Sequence, residues 1–363
     1  MQYQVINTCG TSTLTSPARG NKILTDSLTK WSNAKIESDI VDVDLENIKN
    51  HWSEQIYKWE NYNVEEAKIN SAELKSLISW QEKNKINSRD CFCYLIYTDT
   101  VFGWLAAQLV EVWLKKNNYQ GVKLVAIGNL QTSDLETFEE GLSNLARWAF
   151  DNIDPDNKSV KRVFNVAGGF KSVSGFMQLL GQFLADETIY IFESGNNVLS
   201  IPRMPVIWSE VDSIREYFDD YHRIALGISL ENYSHLNSLW IKRGKFTPWG
   251  LIAWENAKKK LYTEKVFPII YDKVVEGKRF RNSLFDLDGT RIKQLNERLD
   301  DLCFYKKGEG RNCIKRLDYK KLRQVHEDCT HECDAWADKD CRRLFCNEKE
   351  GKIIVELLGK PLH

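Results

Sequence analysis

The sequence predicts an α/β protein with three parts. A Rossmann-like, doubly wound and mostly parallel sheet covers residues 1–208, a helical or winged connector covers 209–277, and a small α+β domain covers 278–363. Three observations predict it. Short apolar runs alternate with helical periodicity through the first half, the turns that end those runs are rich in Gly, Ser, Thr and Asn, and the charge balance changes sign near residue 278. A length of 363 residues suits two or three domains, and 42% hydrophobic with 28% charged residues allows sizeable cores.

The elements follow in order. "YQVINTCGTS" reads as a strand ending in a Thr/Gly/Ser turn, and a helical stretch spans about residues 21–32. "DIVDVDL" and "CFCYLIYTDT" read as strands, while "VFGWLAAQLVEVWLKK" repeats apolar residues at helical spacing. The strand "VKLVAIGNL", the helix "DLETFEEGLSNLARWAFDNI", the strand "KRVFNVA", the helix "SVSGFMQLLGQFLA" and the strand "TIYIFES" complete a βαβ succession. In the connector, "SEVDSIREYFDDYHRIALGIS" and "FTPWGLIAWENAKKKLY" are helical, the second with Thr247 as cap and Pro248 at its first position. Beyond it, "GTRIKQLNERLDDLCFYKK" places Ile292, Leu295, Leu299 and Leu302 on one helical face. "CRRLFCNEKEGKIIVELLGKPLH" reads as two strands around an "EKEG" turn.

Several function classes are excluded. No apolar stretch approaches the length of a membrane span and the N-terminus does not read as a signal peptide, so a soluble cytoplasmic protein is expected. Nine cysteines without a secretory signal point to free thiols. "GTSTLT" lacks the GxGxxG fingerprint, and "AGGFKS" lacks the spacer of a Walker loop, which argues against an ordinary nucleotide cofactor.

In doubly wound sheets ligands sit outside the carboxyl ends of the strands. That rule selects residues 8–12, 98–100, 128–131 and 165–172 as one rim. Its small hydroxyl side chains, glycines, helix N-termini and one cation, Lys171, suit phosphate groups. Read singly, each turn is also an ordinary strand-to-helix connection with Asx and Ser caps.

Residues 278–363 hold 20 Lys+Arg against 16 Asp+Glu, whereas the preceding residues carry an acidic excess. The basic residues concentrate in "CFYKKGEGRNCIKRLDYKKLRQV", where eight Lys/Arg face only Glu309 and Asp318. With Phe304, Tyr305 and Tyr319 interleaved, this composition suits single-stranded nucleic acid, which needs phosphate neutralisation and stacking platforms; a solvated charged face is the alternative.

"NVAGGFKS", followed by a helix, "IYIFES" and "LSIPRMPV", resembles the signature of CARF domains, the sensors of CRISPR-associated accessory effectors. The resemblance covers about residues 1–208. It implies a pocket across a twofold dimer axis that binds a cyclic oligoadenylate, with cyclic tetra-adenylate the expected activator and a homodimer the expected assembly. Carried over by motif position, the ring contacts are Thr8, Gly10, Thr11 and Ser12 from the first turn and Asn165, Gly168, Gly169, Lys171 and Ser172 from the later one. Thr98, Asp99 and Thr100 are added by the rim rule alone.

The C-terminal pattern of amphipathic helix, basic stretch, "RRLFC", turn and "IIVELLGK" resembles RelE-family mRNA interferases. That resemblance implies a ribosome-dependent endoribonuclease that cuts mRNA with cations and no metal cofactor. Such a site must deprotonate a 2′-hydroxyl, stabilise charge on phosphorus and protonate the leaving oxygen, so acids should be scarce at its centre. Arg343 matches the arginine that opens the family's penultimate strand, and Lys360 stands where the family has Gly-Lys-Arg; Pro361 replaces the second cation. His326, His331 or His363 is then left for proton transfer, and Lys320, Lys321 and Arg323 for phosphate contact. The plain alternative is that Arg343 is an ordinary outward strand residue.

Other readings compete. Arg215 and His222 resemble the Arg-x(4–6)-His motif of HEPN ribonucleases. His326, Cys329, His331, Cys333, Cys341 and Cys346 are possible ligands of a structural zinc, although their spacing lacks C-x2-C knuckles. Two function classes remain: a ribonuclease switched on by cyclic oligoadenylate, with ribosome and mRNA as partners and no membrane, or a ligand-controlled regulator that binds nucleic acid without cutting it.

Overall fold

Strands buried on both faces read as near-continuous apolar runs, and the first half of the chain contains several. The computed structural model describes residues 1–131, 134–169, 171–191, 197–204, 211–308 and 317–361. They fall into two compact units, Met1–Val206 and Ile207–His363.

In the first unit β1 (Gln2–Thr8) leads through α1 (Ser12–Thr15), α2 (Lys22–Lys30), α3 (Asp42–Asn61), α4 (Val64–Asn70) and α5 (Ala72–Asn84) to β2 (Cys91–Thr98). Then come α6 (Val101–Lys116), β3 (Gly121–Ile127), α7 (Leu135–Asn152), β4 (Val160–Asn165), α8 (Lys171–Leu184), β5 (Glu187–Ile191) and β6 (Val198–Pro202). The sheet order is β3-β2-β1-β4-β5-β6, parallel throughout except for the antiparallel β5–β6 edge. Strand order therefore reverses between β1 and β4, whose last paired residues are Asn7 and Asn165. This is the switch point at which a doubly wound sheet opens a crevice. Helices α3, α5 and α6 share one core with β1 and β2, built around Trp59, Trp80, Phe102, Leu105 and Leu109. Among the described residues no helix is long and apolar enough to cross a membrane.

Residues 39–45, expected as a strand, instead enter α3 at Asp42. Val41 and Val43 are exposed, so their alternation with acids does not mark a buried face. Asp42 and Asp44 lie in the first turn, where the helix dipole favours negative charge. Trp31 Nε1 and Ser27 Oγ each donate to Asp44 at 2.7 Å and hold its carboxyl below the ordinary range. Helices α4 and α5 were likewise not anticipated.

The second unit begins with α9 (Val211–Glu216), α10 (Phe218–Ala225), the short hairpin β7 (Ile241–Lys242) and β8 (Lys245–Phe246), and α11 (Pro248–Leu261). β9 (Val274–Glu276), α12 (Gly289–Lys307), β10 (Lys320–His326), β11 (Cys329–Trp336), β12 (Arg342–Lys349) and β13 (Lys352–Gly359) follow. The five-stranded order is β10-β11-β12-β13-β9, antiparallel except where β9 lies parallel to β13. Residues 209–277 and 278–363 thus share a sheet. Leu295, Leu299, Leu302 and Cys303 of α12 pack on Cys333, Leu344, Cys346, Ile353 and Val355. Glu350 and Gly351, both at positive φ, form the tight turn between β12 and β13. Phe304, read as a stacking platform, belongs to this core.

Helices α10, α11 and α12 are joined by a buried polar network. Asp300 accepts from His222 Nε2 and from the Tyr262 hydroxyl, each at 2.7 Å, and Lys258 Nζ stands 3.8 Å away. Burial alone raises a carboxyl pKa, but the charges and hydrogen bonds of His222, Lys258 and Tyr262 outweigh it and leave Asp300 below the ordinary range. A depressed folded pKa gives stability that is present above the unfolded value and lost as pH falls through the folded one. Asp300→Asn is therefore expected to cost about 3–5 kcal/mol at neutral pH. Urea denaturation followed with pH should show the wild type losing this contribution below about pH 4 and the variant lacking that dependence.

Candidate functional site

Two turns meet at the β1/β4 crevice, and a residue from a third element joins them. Glu73, in the first turn of α5, is buried; its Oε1 accepts the Gly10 N–H at 2.8 Å, and its Oε2 accepts the Ser71 hydroxyl at 2.8 Å. Its backbone carbonyl accepts Asn165 Nδ2 at 2.8 Å, and the same amide donates to Asn7 Oδ1 at 2.9 Å. The Thr8 hydroxyl donates to the Gly168 carbonyl at 2.6 Å. Burial first, and then the Glu73 carboxylate, push the neighbouring Cys9 thiol well above its ordinary pKa.

These contacts divide the expected ring-binding residues into two groups. Thr8 and Asn165 are buried struts with engaged polar groups. Gly168 is also interior, and a Cβ there would lie 2.1 Å from Glu73 Oε1, so its glycine is required by packing. Gly169 has φ +84°, which favours glycine for a different reason, and it is exposed. Ser12, Lys171 and Ser172 are exposed, and Gly10 and Thr11 half-buried; these five with Gly169 are available to a ligand.

The rim residues added from β2 have local partners. Thr100 caps α6 by accepting the Gly103 N–H at 3.0 Å, and its hydroxyl lies 3.0 Å from that of Thr98. Asp99 Oδ2 accepts the Asn129 N–H at 3.2 Å and stands 3.5 Å from Lys35 Nζ. They brace the β2 and β3 ends of the rim.

Residues 68–204 match a family model described as CRISPR-associated protein (Cas_APE2256). The match covers less than half of the chain but includes Glu73, the Thr98 to Thr100 turn and the later glycine turn. It supports a CRISPR-associated role.

In the second unit the pleat sorts the candidate residues between two faces. Register pairs Asp334 with Arg343 and Glu332 with both Phe345 and Lys320, which places Lys320 and Arg343 on the face opposite α12. His326 joins them through ring contact with Phe345 at 4.8 Å. Lys360 directly follows Gly359, the register partner of Arg343. Lys321 pairs with His331 toward the helix-covered face, and Arg323 is exposed along β10. His363 lies outside the described residues.

Arg343 does not stand in an acid-poor centre. Its Nη1 is 2.8 Å from Glu332 Oε1 without the alignment of a hydrogen bond, and its Nη2 is 3.1 Å from Asp334 Oδ1. Lys320 is bound by Asp318 and lies 4.0 Å from Glu332. Arg279, in the loop after β9, adds a cation unnoticed in the sequence, donating to the Glu327 carbonyl at 2.6 Å beside Cys329.

The competing motifs separate. His222 is buried against Asp300 and Tyr262, whereas Arg215 is exposed and paired with Glu264, so the two do not form one site. Cys333 and Cys346 lie in the α12-covered core, while Cys329 packs with Phe345 and Leu357. Among the described residues no group of three or more His, Cys, Asp or Glu is arranged to hold a metal ion.

The Glu73 contact predicts a coupled pair. Gly168→Ala alone should lose about 1–3 kcal/mol through overpacking. Adding Glu73→Ala should cost less than the sum of the two single changes, giving a coupling of at least about 0.5 kcal/mol in a urea-denaturation double-mutant cycle.

Proposed function

We propose that the chain is a CRISPR-associated effector whose first unit binds a cyclic oligoadenylate at the β1/β4 crevice and whose second unit cleaves mRNA at the ribosome. The observation that carries the sensor half is the union of the two turns by Glu73, which leaves Thr11, Ser12, Gly169, Lys171 and Ser172 accessible at a switch point within or beside the matched region. Glycine-assisted backbone approach, small hydroxyls and one lysine are complementary to a ring of phosphates. A symmetric ring would engage two copies of this crevice, hence a homodimer.

The cleaving half rests on the arrangement of Arg343, Lys320, His326 and Lys360 on one sheet face or its end. In this proposal Arg343 stabilises charge on phosphorus and His326 moves a proton. Glu332 and Asp334 compete with the phosphate for Arg343. Activation therefore requires a state in which the arginine is released, and the ligand must favour that state by differential affinity. The acid-lined arginine also favours a second reading, a ligand-controlled protein that binds nucleic acid without cutting it.

End-mapping of mRNA in a purified translation reaction, with and without cyclic tetra-adenylate, separates the two. Cuts that need both ribosome and activator are expected, and Arg343→Ala should abolish them. Lys171→Ala should raise the activator concentration required by about 10- to 100-fold, the value of a charge-assisted hydrogen bond. Absence of cuts with retained RNA binding would leave the second reading.

A further inference from the structure

The edge of the second sheet carries an aromatic stack unrelated to the Arg343 face. Tyr319 lies over His331 with ring centroids 5.5 Å apart and planes within 6°, and Tyr305, from the last turn of α12, covers Tyr319 at 4.9 Å. Tyr305 is 38% exposed, and His331 is half-buried, so both ends of the stack reach solvent. His331 Nδ1 lies 2.9 Å from the Thr330 hydroxyl, and Asn347 Oδ1 accepts the Thr330 N–H at 3.1 Å. These contacts fix the ring plane and leave Nε2 without a partner among the described residues.

Cations flank the stack. Lys321 is the register partner of His331, so the two side chains emerge side by side. Of the three cations on β10, Lys320 is held by Asp318, whereas Lys321 and Arg323 are exposed and have no side-chain partner among the described residues. Glu348 accepts the Tyr319 hydroxyl at 3.2 Å.

We propose that Tyr305, Tyr319 and His331 form a platform on which bases of single-stranded RNA stack, with Lys321 and Arg323 contacting its phosphates. This rests on the reading of the second unit as acting on RNA and adds a subsite to it. Every base offers a π face, so the platform binds without strict sequence preference, and the flanking cations make binding salt-dependent. Register places the platform and Arg343 on opposite faces of β11 and β12. A strand held on the platform must therefore pass the exposed edge of β10 to reach the arginine, so the bound segment extends beyond the nucleotides being cut.

The test titrates the full chain into a 12-nucleotide RNA carrying 2-aminopurine, whose fluorescence falls on stacking. The wild type should quench it. Tyr305→Leu should lose the quenching and bind about tenfold more weakly, while Tyr305→Trp should restore both. Lys321→Glu should weaken binding and flatten its salt dependence. Thermal melts check that each variant is folded, and the tryptophan rescue separates stacking from a folding defect. Tyr305→Leu binding and quenching as wild type would overturn the platform while leaving RNA as the substrate. Failure of the wild type to bind RNA would overturn both.

Discussion

A single buried carboxylate organises the crevice of the first unit. Glu73 receives the Gly10 N–H from one turn and presses against Gly168 of the other, and its own carbonyl holds Asn165. A carboxylate buried in this way is tolerated only when its oxygens are hydrogen-bonded, and the Gly10 N–H and Ser71 hydroxyl meet that need. The two turns consequently have one relative position. Gly169, Lys171 and the first-turn residues Thr11 and Ser12 are thereby presented together at the switch point.

The same contact changes what the glycine pair means. Adjacent glycines after a strand suggest close approach of a phosphate to the backbone, and Gly169, exposed at positive φ, fits that role. Gly168 does not, because the space where its side chain would stand is filled by Glu73. One glycine serves the interior and its neighbour faces solvent. In the second unit the pleat makes a comparable division, with the acid-bound Arg343 on one face and the Tyr319–His331 stack on the other.

The sequence was most legible where burial is continuous. β2 and α6 are apolar along most of their length, β1 and β4 bury their last four residues, and the alternation of these elements already implied a parallel sheet and a rim at its carboxyl ends. It was least legible where polar residues carry structural roles. Exposed Val41 and Val43 mimicked a strand, and β10, exposed along most of its length, read as a basic stretch rather than as a sheet edge. Glu73 carries no sequence signal that marks it as buried. Its burial comes from Gly10, Ser71 and Gly168, two of them far from it in the chain, and only a cap signal at Ser71 hinted that α5 begins there. Arg343 was placed on a strand correctly, but the acids around it arise from cross-strand register, which a single sequence does not reveal.

Calorimetric titration of the full chain with cyclic tetra-adenylate tests the central claim most directly, because it asks whether the crevice built around Glu73 is a ligand site before any chemistry is considered. The account predicts saturable binding at one ring per two chains, the ratio of a ring shared across a twofold axis. No binding, or one ring per chain, would contradict it.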